Sequence, residues 1–461
     1  MKRNFNSRGK CASRSARKSA GRDVTKLLEQ LETRRLFSAG ATQIQTIAAP
    51  QDNNPLVVFQ NEVYFSGENN SGHVELYKTN GVTTKLAANI YPTGNADPAN
   101  LTVVGNTLYF TANDGVHGTE LWSTNGTTTS MVDDINPGAG GSNPYDLTAV
   151  GNNLYFVADD GVHGNEVWRT NGTLNGTVEI ANPGGSPASG TNPSSLTALG
   201  NTLYFAAKDG AKGQQLFDVS GASTSASVVK VIDKDGTNAN GGAQIYDIIA
   251  NGNEIYFAGT NGVNGIQIWQ SNGTSAGTFQ LPDINTSGGS GIYNLTVFNN
   301  ELYFGATDGV NGVELWRSSS LSKPISNFIL VSNINPSGNS DPYDFTALKG
   351  ELYFFADDGT DGTQLWKTNG TTAGTTMVTD IVSLSGNPDP AYLVVTHNEL
   401  YFTADGLDGY QVFTDNGSGE AQQVTEVSSP EFLIVSNINN QLFFETNPGG
   451  GSTYELWTTQ D

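Results

Sequence analysis

Aspartates recur in one kind of short loop along this sequence, and this repetition is the first feature that could carry chemistry. Each is followed by glycine, as in "NDGVHG", "DDGVHG" and "TDGVNG", at Asp114, Asp160, Asp209, Asp308, Asp358 and Asp405. Carboxylate oxygens with backbone carbonyls suit a hard cation, so these loops are candidate Ca²⁺ sites. Asp-Gly is also a favourable turn sequence, and one carboxylate per loop falls short of the several oxygens that calcium takes. A purely structural role therefore stays open.

A second recurrent feature places tyrosine before a carboxylate or carboxamide at the start of a predicted strand. The pairs are Tyr145 with Asp146, Tyr246 with Asp247, Tyr293 with Asn294, and Tyr343 with Asp344, while Tyr392 occurs without such a partner in the corresponding stretch. Phenol rings stack on sugars or peptides, and neighbouring polar groups fix their orientation. These residues are therefore predicted to bind a ligand. Packing of the tyrosines against a neighbouring repeat is the alternative.

Both features belong to a repeat that covers most of the chain. The central aromatic of "LYF" recurs every 42 to 52 residues, at Tyr64, Tyr109, Tyr155, Tyr204, Tyr256, Tyr303, Tyr353, Tyr401 and Phe443. A second aromatic follows 12 to 14 residues later, and all six tryptophans occupy that position. A period in this range is typical of a propeller or a solenoid.

Each repeat predicts four short β-strands, A to D. In one copy they are "LTVVG", "TLYFTA", "TELWST" and "TSMVDDI", which are rich in Val, Thr, Leu and aromatics and are separated by Gly, Asn or Asp. Gly-Asn or Asn-Asn follows strand A, and Asn-Gly follows strand C, which favours two-residue hairpins at both places. Four strands in such a period indicate one blade of a β-propeller.

The predicted fold is an all-β propeller of nine four-stranded antiparallel blades over residues 41–461. All nine copies carry both aromatic markers, whose large rings are assigned to packing between blades. The ninth copy stops after strand C, and "TQIQTIAA" at 42–49 resembles a strand D. The N-terminal strand is therefore expected to complete the last blade, close the ring and remove an exposed sheet edge.

Strand order also predicts the face that binds a ligand. In an up-and-down meander the B–C and D–A connections share one face, called the loop face below, and the A–B and C–D connections share the other, the turn face. The Asp-Gly loops and the tyrosine pairs both fall on the loop face. Binding residues concentrate in loops on a rigid scaffold, so the ligand is expected there, at the mouth of the central channel.

Charge divides the chain into two segments. Residues 1–40 contain 11 of the 22 Lys and Arg and three acidic residues, whereas residues 41–461 contain 11 basic and 42 acidic residues. Such an acidic body repels phosphate groups, so no nucleic-acid partner is expected. Cys11 is the one cysteine, which excludes an internal disulfide and a Cys-ligated metal cluster. No apolar stretch reaches the length of a membrane span, and a monomer is expected.

Two resemblances bear on localisation. "LEQLETRRLFSAG" resembles the LEPR-type segment that precedes large secreted or surface proteins in some bacteria, so residues 1–40 are interpreted as a basic, mostly disordered, export-associated segment. "GTELWSTNGT" and "GTQLWKTNG" resemble the ELWxxDGT repeats of bacterial secreted and surface proteins, with Asn in place of the Asp of the motif. This second resemblance implies a repeat architecture and an extracellular habit, and it implies no reaction.

Three functions fit these features. The leading prediction is a secreted or surface-attached noncatalytic scaffold that binds a polysaccharide or a protein and needs no cofactor other than the calcium considered above. The alternative is a propeller enzyme, a hydrolase or lyase, that acts on an extracellular polysaccharide through a carboxylate pair at the channel mouth. An intracellular interaction scaffold is the third. The sequence contains no nucleophile elbow, zinc signature, phosphate-binding loop or dinucleotide fingerprint.

Overall fold

The regular structure of the chain is built from β-strands. The computed structural model describes residues 41–48, 56–181, 190–232, 242–263, 265–321, 325–378, 381, 387–396, 398–406, 409–417, 421–424, 430–435, 441–446 and 453–459. Within these ranges it contains 36 strands, no α-helix, and three short 3-10 helices at Leu174–Gly176, Gly210–Lys212 and Thr372–Gly374. The predicted N-terminal segment 1–40 lies outside the described residues.

The strands fall into nine consecutive units, preceded by β1 (Ala41–Ala48). Units 1 to 3 are β2 (Leu56–Phe59), β3 (Glu62–Glu68), β4 (Val74–Thr79), β5 (Thr84–Ala88); β6 (Ala99–Val104), β7 (Thr107–Asn113), β8 (Thr119–Thr124), β9 (Thr129–Met131); and β10 (Tyr145–Val150), β11 (Asn153–Asp159), β12 (Asn165–Thr170), β13 (Val178–Glu179). Units 4 to 6 are β14 (Ser194–Leu199), β15 (Thr202–Lys208), β16 (Gln214–Ser220), β17 (Ser227–Lys230); β18 (Tyr246–Asn251), β19 (Glu254–Gly259), β20 (Gln267–Ser271), β21 (Phe279–Gln280); and β22 (Tyr293–Phe298), β23 (Glu301–Ala306), β24 (Glu314–Ser318), β25 (Phe328–Ser332). Units 7 to 9 are β26 (Tyr343–Leu348), β27 (Glu351–Asp357), β28 (Thr363–Thr368), β29 (Thr376–Met377); β30 (Ala391–Thr396), β31 (Glu399–Gly406), β32 (Gly409–Asp415), β33 (Gln422–Gln423); and β34 (Pro430–Val435), β35 (Leu442–Thr446), β36 (Thr453–Thr459).

Each unit is an antiparallel meander whose strands pair in chain order. Units 2 to 8 are separate four-stranded sheets. The strand β1 pairs antiparallel with β36, from Ala41 opposite Thr459 to Ala48 opposite Thr453, and so provides the fourth strand of unit 9. One further pair, Ile47 with Gly67, connects β1 to unit 1. The predicted all-β class and the four-stranded antiparallel repeat are confirmed.

The units are arranged as in a propeller. The first strand of every unit contacts the first strand of the next, from the pair β2 and β6 through to the pair β30 and β34. These first strands therefore lie side by side in chain order, and the other strands of each unit lead away from them. Since strands alternate in direction, the B–C and D–A connections share the loop face, as the strand order predicts.

The hydrophobic core lies between neighbouring units. Phe156 of unit 3 packs with Leu121 of unit 2, whereas the adjacent Tyr155 packs with Phe205 of unit 4. Strand B is thus covered on both of its faces, which explains why its middle residues are all apolar instead of alternating with polar ones. Five of the marker tyrosines are among the largest fully buried side chains, so their assignment to the core is confirmed.

The C–D connections are longer than the predicted two-residue hairpin. Four residues, 125–128, separate β8 from β9, and seven, 171–177, separate β12 from β13. The side chain of Asn125 closes the first of these loops by accepting the N–H groups of Thr127 and Thr128 at 2.9 and 2.8 Å. The glycine after the asparagine is required by space as well as by its positive φ, because a Cβ at Gly370 would lie 2.5 Å from the Tyr303 hydroxyl.

Phe156→Ala should reduce the free energy of unfolding by about 3–5 kcal/mol, because the substitution leaves a cavity between two units. Denaturant titration followed by circular dichroism measures the change. Val162→Ala, at an exposed loop position of the same unit, serves as the control and should change stability by less than about 0.5 kcal/mol. Similar losses for the two variants would contradict a core placed between the units.

Candidate functional site

The tyrosine pairs lie at a bulge near the start of the innermost strands. In β10 the pairing register shifts between Tyr145 and Thr148, and six other units show the same shift. The second residue of each such strand, called the bulge position below, has φ between 53° and 57°, and these residues are Asn100, Asp146, Ser195, Asp247, Asn294, Asp344 and Tyr392. Asn and Asp adopt this left-handed conformation more readily than most residues, so their recurrence reflects the backbone.

Tyr392 does not align with the other tyrosines. It occupies the bulge position of β30, while Ala391 stands at the position of Tyr145 and Tyr343. In the sequence Tyr392 was grouped with the other tyrosines because of its residue type. Its offset by one position becomes visible only when the start of the strand is known. At this bend a shift of one residue changes both the backbone conformation and the direction of the side chain.

The carboxylates at the bulge position connect neighbouring units. Each accepts a backbone N–H from the first strand of the next unit: Leu196 N–H to Asp146 Oδ2 at 3.1 Å, Leu295 N–H to Asp247 Oδ2 at 2.7 Å, and Tyr392 N–H to Asp344 Oδ2 at 3.1 Å. Burial raises the pKa of all three carboxyl groups, and these backbone hydrogen bonds act in the opposite direction. The predicted ligand contacts therefore have a structural partner in each case.

Three of the paired tyrosines also reach the next unit. The Tyr246 hydroxyl donates to the Ile292 carbonyl at 2.8 Å, the Tyr343 hydroxyl donates to the Pro390 carbonyl at 2.7 Å, and the Tyr293 hydroxyl bonds to Asp341 Oδ1 at 3.3 Å. Tyr145 differs, because its side chain is exposed and no group of the described residues bonds to its hydroxyl. Tyr145 is therefore the paired tyrosine best placed to meet a ligand.

In four of the six Asp-Gly loops the aspartate side chain accepts backbone N–H groups of its own loop. Asp160 Oδ1 accepts the N–H groups of Val162 and His163 at 2.8 and 2.7 Å, and Asp160 Oδ2 lies 2.7 Å from His163 Nδ1. Asp114 makes the same three contacts with Val116 and His117. Asp308 and Asp358 accept N–H groups of their own loops in the same way.

These contacts shift the pKa values of the aspartate and histidine side chains in the loops. Burial alone would raise the pKa of Asp114, Asp160 and Asp308, but the hydrogen bonds that each accepts outweigh it and hold the pKa below the ordinary value. The hydrogen bond between the aspartate carboxylate and the imidazole raises the pKa of His117 and His163. The aspartates are thus ionised acceptors that shape their loops.

The six loop aspartates lie in six different units and do not converge on one cation. Asp209 forms an ion pair with Lys212 at 3.6 Å, and the backbone N–H of Asp405 donates to the Pro388 carbonyl at 2.6 Å, so these two loops depart from the common arrangement. Calcium binding stays a prediction.

Sequence reasoning missed the polar residues that hold the loop face in place. One position of strand C, just before a buried Leu, Ile or Val and called the acceptor position below, is glutamate or glutamine in all nine units. In units 1 to 8 it is almost fully buried, at Glu75, Glu120, Glu166, Gln215, Gln267, Glu314, Gln364 and Gln411. Glu314 accepts the N–H of Ile334 at 2.7 Å and the hydroxyl of Ser340 at 2.8 Å. Gln364 accepts the N–H of Ile381 at 3.0 Å. This acceptor position satisfies backbone groups of the long D–A loop.

The signal for the acceptor position was present in "ELW" and "QLW". A glutamate or glutamine in a strand that is otherwise buried must find a hydrogen-bond donor inside the protein. The exchange of Glu and Gln between units shows that the accepting oxygen matters more than the charge. Burial raises the pKa of Glu75, Glu120 and Glu314, and the N–H and hydroxyl groups that they accept oppose this rise.

The chain is similar to solved structures of low sequence identity. No protein-family model and no curated relative matches the chain. A solved prolyl endopeptidase is similar over 75% of this chain and 50% of its own, with 14% identity and a TM-score of 0.45. Prolyl oligopeptidase B from Galerina marginata is similar over 76% of this chain and 54% of its own, with 9% identity and a TM-score of 0.45. The β-propeller domain of the Trilobed protease from Pyrococcus furiosus is similar over 72% of this chain and 99% of its own, with 11% identity and a TM-score of 0.36.

This comparison contradicts the predicted noncatalytic extracellular scaffold, because the three similar structures are peptidases or a domain of a protease. The polysaccharide-acting enzyme that was its alternative has no counterpart among the three. At these identities the likeness concerns the fold, and hydrolysis is a property of those proteins. The chain spans about half the length of the first two peptidases. Among the described residues, no helix is long and apolar enough to cross a bilayer.

Glu314→Gln should flatten the pH dependence of stability. Burial raises the pKa of Glu314 in the folded state. At a pH between the unfolded and the folded pKa, the folded protein therefore keeps a proton that the unfolded chain releases. The stability of the wild type therefore falls as pH rises from the unfolded value through the folded value. The melting temperature of Glu314→Gln should decline less between about pH 4 and pH 8 than that of the wild type.

Glu314→Leu provides the contrast for this experiment. It removes the acceptor and leaves buried N–H groups without a partner, which should cost about 1–3 kcal/mol per group at every pH. If Glu314→Gln follows the wild-type pH profile, the carboxyl charge does not contribute as described.

Proposed function

We propose that this chain is the propeller part of a peptidase-type protein and that its loop face receives a polypeptide. The proposal is carried by four valines at the tips of the B–C loops, whose side chains are 64–89% exposed: Val116, Val162, Val263 and Val310. Large apolar side chains repeated on one face of a fold mark an interaction surface more often than isolated ones do. We call these four residues the valine tips.

The backbone holds the valine tips in fixed positions. The N–H of Val162 donates to Asp160, that of Val310 donates to Asp308, and that of Val263 donates to Asn261 Oδ1 at 3.0 Å. A rigid apolar contact loses little conformational entropy when a partner binds. The loop aspartates therefore support binding indirectly, by presenting the valines.

The chemistry of the face suits a polypeptide better than a polysaccharide. Exposed aliphatic side chains bury apolar groups of a peptide, whereas sugars favour aromatic platforms with convergent polar groups. At the inner end of this face most of the predicted polar groups are already bonded to the next unit, as described above. The acidic body favours a neutral or basic peptide over an acidic one.

The proposal assigns hydrolysis to residues outside the described ranges or to a partner polypeptide. His117 and His163 bond to aspartate through Nδ1, which is how a catalytic base is often oriented. Within the described residues, however, no serine, threonine or cysteine bonds to either imidazole. These two histidines therefore lack the nucleophile that such a base would activate.

A closed ring of nine blades is part of the proposal. In support of closure, Phe443 and Leu456 of unit 9 share one hydrophobic cluster with Leu56 and Phe65 of unit 1. The antiparallel pairing of β1 with β36 gives the ninth unit its fourth strand. Closure would hold the valine tips at constant spacing. Secretion, the monomeric state and calcium binding stay predictions.

Replacing Val162 and Val310 together by serine should weaken binding to the loop face. The full chain is first tested on an array of peptides and oligosaccharides, and the affinity for the best peptide is then measured by fluorescence anisotropy. Loss of two buried valine contacts corresponds to a decrease of about tenfold or more in affinity.

Val82→Ser is the matched control, since Val82 is 80% exposed but lies in a C–D connection on the turn face. It should leave peptide affinity unchanged. Binding of oligosaccharides without peptides, or an equal effect of Val82→Ser, would contradict the proposed function.

Deleting residues 1–48 tests ring closure, because it removes β1 together with everything before it. The edge of β36 then lacks its partner, so the truncated chain should melt at a lower temperature and associate on size-exclusion chromatography. Deleting residues 1–40 retains β1 and should change neither the melting temperature nor the elution volume expected of the monomer. A monomeric 1–48 deletion with the melting temperature of the 1–40 deletion would show that β1 does not close the ring.

A further inference from the structure

A histidine and two carboxylates from separate parts of unit 3 meet at the outer edge of the loop face. Asp160 and His163 belong to the B–C loop, and Glu179 belongs to the outermost strand, β13. His163 Nδ1 lies 2.7 Å from Asp160 Oδ2 and 3.8 Å from Glu179 Oε2. Of all the His, Cys, Asp and Glu side chains that the structure describes, only these three place their ligand atoms within 4.8 Å of one another.

We propose that Asp160, His163 and Glu179 form a binding site for a divalent metal ion of the zinc class. Imidazole nitrogen with carboxylate oxygen is a ligand set that suits Zn²⁺, whereas Ca²⁺ takes more oxygens and no imidazole. Ligand atoms of a tetrahedral site with bonds of about 2.0–2.2 Å lie about 3.3 Å apart. The two observed separations fall on either side of this value, so small side-chain movements would complete the geometry.

The site is open to solvent. The side chains of His163 and Glu179 are 45% and 29% exposed, so an ion can reach the ligands without unfolding of the unit. Three protein ligands leave a fourth position for water or for a side chain of a partner, as in open zinc sites. Binding would displace the proton that His163 and Asp160 share, because both atoms must offer a lone pair to the metal.

Unit 2 supplies a natural comparison. Its loop repeats the carboxylate and imidazole contact, with Asp114 Oδ2 at 2.7 Å from His117 Nδ1. Glu179 stands opposite Trp168 in the strand pairing of unit 3, and Met131 stands opposite Trp122 in unit 2. Unit 2 therefore has the first two ligands of the proposed site, with methionine at the third position.

The corresponding residue of unit 5 shows that this strand position reaches the loop. There Gln280 stands opposite Trp269, and its Oε1 accepts a hydrogen bond from Asn261 Nδ2 at 3.1 Å. Asn261 occupies the place that Asp160 has in unit 3. A glutamate at the Met131 position of unit 2 would by the same geometry approach Asp114 and His117.

A bound ion would connect the B–C loop to the edge of the unit. Strand β13 consists of only two residues, Val178–Glu179, so it has few hydrogen bonds of its own to the sheet. Coordination of Glu179 would fix this edge beneath the loop that carries Val162. The site does not depend on the proposed peptide binding, since its ligands and its test involve the metal alone.

Titration of the full chain with zinc chloride in excess calcium chloride tests the site by isothermal calorimetry. Calcium occupies surface positions made of carboxylates alone and leaves the imidazole site to zinc. The wild type should bind a single equivalent of zinc with a higher affinity than any zinc that remains bound to surface carboxylates. Glu179→Met should lose this binding, and Glu179→Gln should weaken it by about tenfold or more, since one charged ligand is removed.

The reciprocal change in unit 2 provides a gain of function. Met131→Glu should add a second equivalent of zinc, while Asp114→Asn should leave wild-type binding unchanged. Circular dichroism establishes that each variant is folded. Wild-type zinc binding by folded Glu179→Met would overturn the assignment, as would a loss of the single equivalent in excess calcium or an equal effect of Asp114→Asn and Asp160→Asn.

Discussion

The structure depends on one constraint, which is that each four-stranded unit is apolar on both of its faces. A single unit cannot bury both faces by itself, so it is stable only between two neighbours. Phe156 and Tyr155 show the constraint at adjacent positions of one strand, since they pack against units on opposite sides. The array of neighbouring first strands follows from repeating this contact. Phe443 of the last unit and Phe65 of the first belong to one hydrophobic cluster, and the ring closure proposed above would cover the outer faces of these two units.

The second theme is the internal use of acidic side chains. Carboxyl side chains accept backbone N–H groups at three places in a unit: the acceptor position inside strand C, the bulge position of strand A, and the Asp-Gly loop. Glu314, Asp247 and Asp160 represent the three places. Long loops contain many N–H groups without a strand partner, and the side-chain oxygens of these residues accept hydrogen bonds from them. Much of the negative charge that suggested cation binding in the sequence thus serves the fold.

Few side chains on the loop face remain available for binding a partner. The valine tips face solvent on fixed loops, and the Tyr145 hydroxyl has no bonding partner among the described residues. In unit 3 one loop combines a valine tip with the proposed metal ligands, because Val162 lies between Asp160 and His163. Units 2 and 3 differ at this place by Met131 in one and Glu179 in the other, so under the proposal a single substitution gives or removes the metal site.

The sequence by itself determined the all-β class, the four strands of each unit, their order and the face that collects the long loops. These features depend on apolar runs and turn residues within a few positions of one another, which local physics reads directly. The tertiary structure alone decided that Tyr392 lies at the bulge position, that Asp344 bonds to the next unit, and that Glu179 meets His163. Each of these depends on register or on partners from different strands or units. Sequence spacing does not encode such contacts, because they are set by how strands pair and how units pack.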